Sequence, residues 1–193
     1  QCPDSAIPGL VTSVEDLLDS AIRAAARSGT TDRIRSVSKP LAKETRKVID
    51  GVPFRHFGDA VSAAYSNVVA RLGWEPDRRD ALDAEFARVQ PVLAQFPVAK
   101  TTPFYDLPES KQKGSGGLLS VTINPEACKG CNICVEVCPE GALVTIRQDE
   151  GVVARLRENW DFWNGLPDTD DRYVNIPNLD EGIGVLSSLL LKK

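Results

Sequence analysis

The chain has no methionine and one histidine, His56, among its 193 residues. A chain that begins at Gln1 and holds no Met is expected to be a piece of a longer protein or a subunit trimmed at its N-terminus. His56 lies far in sequence from every cysteine, so a packed or surface role is expected for it. The serines have no His/Asp arrangement around them, which gives no support to nucleophilic catalysis. Long apolar runs are missing too. The longest, residues 183–191, contains two serines and is too short to span a bilayer. The opening QCPDSAIPGL has neither the basic start nor the apolar segment of a signal peptide. The formal charge is −4 without a long one-sign tail, which argues against a nucleic-acid partner by bulk charge. The expectation is a cytoplasmic chain in a reducing compartment, with no membrane and no nucleic acid among its partners.

What is present suffices for a core. Apolar residues make up 42% of the chain, and its length suits one ordinary domain or two small ones. Residues 11–96 are rich in Ala, Leu, Val and Arg at helical spacing. Ser13 and Asp16 form a near capping box, followed by Val14, Leu17, Leu18, Ala21, Ile22 and Ala25 on one face, with Gly29 as the stop. Further helices are expected over residues 41–50, entered at Pro40 and stopped at Gly51; over 58–72; and over 77–96, with Pro91 as a potential kink. Together they read as a bundle of about four helices. Residues 97–117, with three prolines and the run KQKGSGG, read as a loop. Beyond it, residues 120–124 and 142–147 read as short strands of a hairpin-like region, and 150–163 and 179–191 as helices.

The two expected strands bracket the run C-K-G-C-N-I-C-V-E-V-C-P, residues 128–139. Its spacing, C-x2-C-x2-C-x3-C-P, is the bacterial ferredoxin pattern for a [4Fe–4S] cluster. Two-residue spacers let a tight loop present Cys128, Cys131 and Cys134 to three corners of a cubane, with backbone N–H groups aimed at its negative charge. Gly130 can take the positive φ that such a loop needs, and Pro139 turns the chain away after Cys138. The rival is structural zinc, but zinc favours two separated C-x2-C knuckles over three overlapping ones closed by Cys-Pro.

Cys2 belongs to an internal repeat: Cys2-Pro-Asp-Ser-Ala-Ile against Cys138-Pro-Glu-Gly-Ala-Leu. Both read Cys-Pro-acid-small-Ala-aliphatic, so Cys2 looks like the last cysteine of a first ferredoxin run; the alternative is a lone surface thiol. In two-cluster ferredoxins the fourth cysteine of each run ligates the other cluster. On that pattern Cys2 joins Cys128, Cys131 and Cys134, and Cys138 serves a second cluster. In the simpler arrangement Cys138 closes the cluster of its own run. Both remain open at this point.

At these residues the chain resembles the 2-oxoacid:ferredoxin oxidoreductases, of which pyruvate:ferredoxin oxidoreductase is the type. The resemblance is most specific over residues 1–7 and 118–148, less so over 155–193, and weak over the helical section. It implies an α+β chain built on a bacterial-type [4Fe–4S] ferredoxin fold, one half truncated, carrying a helical insertion. The implied division is residues 1–10, the end of the first ferredoxin half; 11–117, helical insertion and loop; 118–148, the second half with the cluster motif; and 149–193, a helical connector. The implied cofactors are one or two [4Fe–4S] clusters on Cys2, Cys128, Cys131, Cys134 and Cys138, with thiamine diphosphate only on a partner domain or subunit. Single electrons would pass from a thiamine-bound intermediate there to an external ferredoxin. The family's thiamine-binding Gly-Asp-Gly is absent, and FGDA at residues 57–60 does not match it, so no catalytic residue is expected here. The rivals are a ferredoxin-like subunit of another redox enzyme, of hydrogenase or formate dehydrogenase type, and a non-redox helical interaction module with a structural metal site.

Other features carry less. Trp160 and Trp163 share one helical face and are expected to pack. Residues 23–55 hold nine Lys/Arg against three Asp/Glu, a solvated face or a docking patch. Asp168, Asp170 and Asp171 need no special role. Metal analysis of the purified chain or its assembly is expected to find iron and sulfide without stoichiometric zinc; full zinc occupancy without iron would refute the cluster assignment.

Overall fold

The computed structural model describes residues 2–174 and Leu191. The helix expected over 179–191 therefore lies, Leu191 apart, outside the described residues.

The first helix forms where the capping pattern placed it. The Ser13 Oγ accepts the Asp16 N–H at 3.0 Å, and α1 runs Val14–Ala25. Its inward stripe, Val14 through Ala25, is buried as the periodicity requires. A short α2, Asp32–Ser36, was not legible in the sequence. Next, α3 spans Ser38–Gly51 and so starts before Pro40. Proline in a first turn sacrifices no hydrogen bond, because that N–H has no intrahelical partner in any case. Then α4, Phe57–Leu72, is closed by Gly73 at φ 56°, and α5, Pro76–Gln95, begins on a proline at its first position and continues through Pro91. His56 precedes α4 and is exposed. These helices pack α3 on α4, α1 and α4 on α5, and α1 on α3, around Leu17, Leu18, Leu41, Val61 and Leu82.

Two expectations need correction. Residues 97–117 are more ordered than a loop. They hold a π-helical turn, Thr102–Asp106, and α6, Leu107–Lys111, because Phe104 and Tyr105 drive that segment into the protein. The hairpin is also wired differently. A strand β1, Gly9–Thr12, pairs antiparallel with β2, Leu118–Val121, in the register Gly9↔Val121 to Thr12↔Leu118. Residues 142–147 form no strand and pair with nothing in the sheet; Val144 and Ile146 are 73% and 59% exposed. The β propensity of that run is real, but a strand needs a partner edge, and β2 already pairs with β1 and, through Leu119, with Ala99.

Past the cysteines come α7, Ile133–Glu136; α8, Glu150–Gly165, capped by the Asp149 carboxylate on the Val152 N–H at 2.8 Å; and α9, Asp171–Val174. Trp160 and Trp163 stack at 5.0 Å and pack on the core, and Phe162 meets Phe96 edge-on at 4.7 Å. No helix among the described residues is long and apolar enough to cross a membrane.

A buried ionic network locks the bundle to the sheet. The Arg46 guanidinium donates to both Glu15 carboxylate oxygens, at 3.0 and 2.6 Å, and to the Gly116 carbonyl at 3.1 Å, and lies 3.6 Å from Glu109. Glu109 in turn accepts the N–H groups of Gly114 and Gly116. Burial alone would raise the Glu15 carboxyl, but the bond to Arg46 and its charge hold it below the ordinary carboxylate value. That contribution is complete above the unfolded carboxylate pKa and is lost as pH falls through the lowered folded value. Replacing Arg46 with Met leaves Glu109 buried without its cation. Urea unfolding at neutral pH is expected to show a loss of about 3 kcal/mol, with a flatter acid limb in the stability profile.

Candidate metal centre

The ladder between β1 and β2 continues beyond both strands toward the cysteines. The Thr122 N–H donates to the Pro8 carbonyl at 3.3 Å and the Asn124 N–H to the Ala6 carbonyl at 2.8 Å. Residues 6–12 therefore run back along 118–124 and deliver Cys2 to the cysteine loop. An ion pair between the Lys129 ammonium and the Asp4 carboxylate at 2.8 Å holds the two segments together.

The loop itself is turned by local bonds. The Asn124 side chain accepts the Glu126 N–H at 3.0 Å, and its carbonyl accepts that of Cys128 at 3.0 Å. Gly130 takes φ 65°, the left-handed conformation anticipated for it, and Asn132 follows at φ 62°, with its carboxamide oxygen accepting the Thr145 hydroxyl at 3.0 Å. These two left-handed residues reverse the chain between successive cysteines.

Cys2, Cys128, Cys131 and Cys134 line a single cavity of about 500 Å³; Cys138 is not among its lining residues. The remaining wall is largely apolar: Ile7, Ile123, Val135, Leu143, and Val152 and Leu156 from α8. Among the described residues, no three His, Cys, Asp or Glu side chains converge closely enough for a single metal ion. Structural zinc is held by four ligands within about 2.3 Å of one point. A cavity with thiols distributed around its wall suits a polynuclear cluster better, and four thiols are the donor set that a cubane requires.

The sequence repeat is also a repeat in conformation. After Cys2, the Ser5 N–H bonds the Cys2 carbonyl at 3.1 Å, Ser5 sits at φ 51°, and the Ala6 N–H donates to the Cys2 Sγ at 3.4 Å. After Cys138, the Gly141 N–H bonds the Cys138 carbonyl at 3.2 Å, Gly141 sits at φ 59°, and the Ala142 N–H donates to the Cys138 Sγ at 3.3 Å. The Ala142 N–H is the main reason the Cys138 thiol lies below its ordinary pKa. Each Cys-Pro turn thus aims an amide at sulfur.

Sequence reasoning missed the apolar wall from α8 and the Asp4–Lys129 clasp. Neither has a motif: one depends on a helix arriving from later in the chain, the other on a charge pair 125 residues apart.

Comparison with known proteins points the same way. The family of 4Fe–4S binding domains matches residues 121–144, which indicates a ferredoxin-type fold there and supports binding of a 4Fe–4S cluster. The chain is 35% identical over 88 residues, 42% of its length, to the pyruvate-flavodoxin oxidoreductase of Rhodospirillum rubrum. It is 37% identical over 68 residues, 32% of its length, to a putative pyruvate-flavodoxin oxidoreductase of Synechocystis sp.. It is 38% identical over 64 residues, 30% of its length, to the pyruvate-flavodoxin oxidoreductase of Nostoc sp.. The matched stretches span 7%, 6% and 5% of those proteins. No solved structure matches significantly. The ferredoxin region is thus similar to part of the pyruvate-flavodoxin oxidoreductases.

The paired turns differ in one residue that matters. Ser5 occupies a left-handed conformation that glycine fills in the second copy. Gly141→Val is expected to cost about 1–2 kcal/mol in thermal unfolding, whereas Ser5→Gly leaves the melting temperature unchanged or raises it.

Proposed function

We propose that this chain is the iron–sulfur electron-transfer portion of a 2-oxoacid:ferredoxin oxidoreductase. It would pass single electrons from a thiamine-diphosphate-binding domain or subunit of the same enzyme to an external ferredoxin or, as the relatives' names suggest, a flavodoxin. The observation that carries this reading is the gathering of Cys2 with Cys128, Cys131 and Cys134 around one cavity from opposite ends of the helical section.

In this reading those four thiolates hold a [4Fe–4S] cluster, which, when bound, accepts and releases one electron at a time. The Ala6 N–H stabilises negative charge on the Cys2 sulfur, and the apolar wall limits access of water; both act on the reduction potential. Cys138 serves a second cluster whose other ligands lie outside this chain. Its separate position and its own N–H···S bond support that role. The division into residues 1–10, 11–117, 118–148 and 149–193 belongs to the same proposal. Decarboxylation is assigned elsewhere, since the chain has no thiamine-binding signature. A subunit of hydrogenase or formate dehydrogenase type uses the same cluster chemistry, but the named relatives favour the 2-oxoacid enzyme.

Single substitutions separate the two ligand arrangements. In the chain reconstituted with iron and sulfide, Cys2→Ser is expected to abolish or strongly shift the EPR signal after dithionite, whereas Cys138→Ser retains it. Loss of the signal with Cys138→Ser and its persistence with Cys2→Ser would establish the single-run arrangement instead.

A further inference from the structure

The wall of the cysteine cavity is nearly free of ionised side chains. Apart from the thiols, Asp4 and Lys129 are the only acidic and basic residues lining it among the described residues. They pair with each other at 2.8 Å, and both sit beside candidate ligands. Asp4 follows Cys2 by two residues, and Lys129 lies between Cys128 and Cys131 in the loop. A neighbouring ion pair, Arg157 with Glu126, lies outside the lining.

The pair joins the two segments that carry the thiols, but a clasp alone would work with the charges in either order. Here the cation is on the loop with three cysteines. The Lys129 ammonium has its pKa raised by the bond to Asp4, then by the Asp4 charge; Cys131 and Cys2 add smaller contributions in the same direction, and slight desolvation opposes them. The ammonium therefore lies within electrostatic reach of sulfurs from both segments. Its side chain is 73% exposed and that of Asp4 31%, so both charges act through partly screened surroundings.

We propose that Lys129 sets the reduction potential of the cluster bound at this cavity and that Asp4 opposes it, an inference that rests on the electron-transfer reading above. Reduction adds one electron and one negative charge to the bound cluster. A cation beside the cavity favours that state, and a carboxylate disfavours it. Lys129 keeps its proton throughout, and no bond at its nitrogen forms or breaks.

The test is a potentiometric titration with dithionite of the full chain loaded with iron and sulfide, followed by EPR at low and high salt. At a fixed potential, K129Q is expected to lower the ratio of reduced to oxidised cluster about three-fold, and D4N to raise it by a similar factor. K129R keeps the wild-type ratio. R157Q, which removes a cation from the pair outside the lining, leaves it unchanged. The K129Q and D4N shifts shrink at high salt. The opposite sign of these two shifts is the decisive readout, because either variant breaks the clasp equally. Shifts of the same sign, no shift in either, or loss of the cluster from both while K129R retains it would overturn the proposal and leave the pair a clasp. A shift in R157Q as large as that in K129Q would overturn it in favour of a bulk-charge effect. A wild-type chain with no reducible cluster overturns the electron-transfer reading and this proposal with it.

Discussion

The backbone pairing of residues 6–12 with 118–124 is the constraint on which the site depends. Without it Cys2 has no reason to be near Cys128, because the whole helical section separates them. Closing a long loop costs little more than closing a short one, since the entropy grows only with the logarithm of its length. The helices between, residues 13–117, reduce that cost further by packing into a core that leaves its two ends side by side. Arg46 makes that geometry specific. It reaches from α3 to the Gly116 carbonyl just before β2 and to Glu15 just after β1, so bundle and sheet have one relative position.

The apolar wall of the cavity comes from four separate parts of the chain: Ile7 before β1, Ile123 after β2, Val135 and Leu143 in and after the cysteine run, and Val152 and Leu156 on α8. Its thiols come from two. A site assembled in this way needs each contributor held independently, which the Asp4–Lys129 pair, the Asn124 turn and the Asp149 cap accomplish locally. Among the described residues, the exposed Ile133, Val137, Val144 and Ile146 lie in or just after the cysteine run, while the exposed Val52, Leu107 and Val121 lie elsewhere.

How much was legible from the residues depended on how local the signal was. Ser13 and Asp16 fixed the start of α1, and the ranges 58–72 and 77–96 fall within one residue of α4 and α5, because caps and helical periodicity are local signals. The Cys-Pro repeat was legible as a sequence pattern, and it recurs as two similar turns, each with an N–H···S contact. What could not be read was pairing at a distance. Residues 142–147 have the composition of a strand but no free edge to join, while Gly9–Thr12, with little strand character beyond Leu10 and Val11, acquires one from β2. The ordering of 97–117 was hidden for the same reason, since Tyr105 is buried by partners from the bundle that its own neighbourhood does not reveal.

The helix α8 belongs to both halves of this molecule: its first turns wall the cysteine cavity, and its last turns bury Trp163 against the bundle. Occupancy and folding are therefore thermodynamically linked. A ligand that binds only the folded site stabilises everything cooperative with it, by an amount that grows with the logarithm of its concentration over its dissociation constant. The bundle then acts as a reservoir of stability that loading of the site draws tighter, and oxidative loss of the ligand would loosen helices that never touch it.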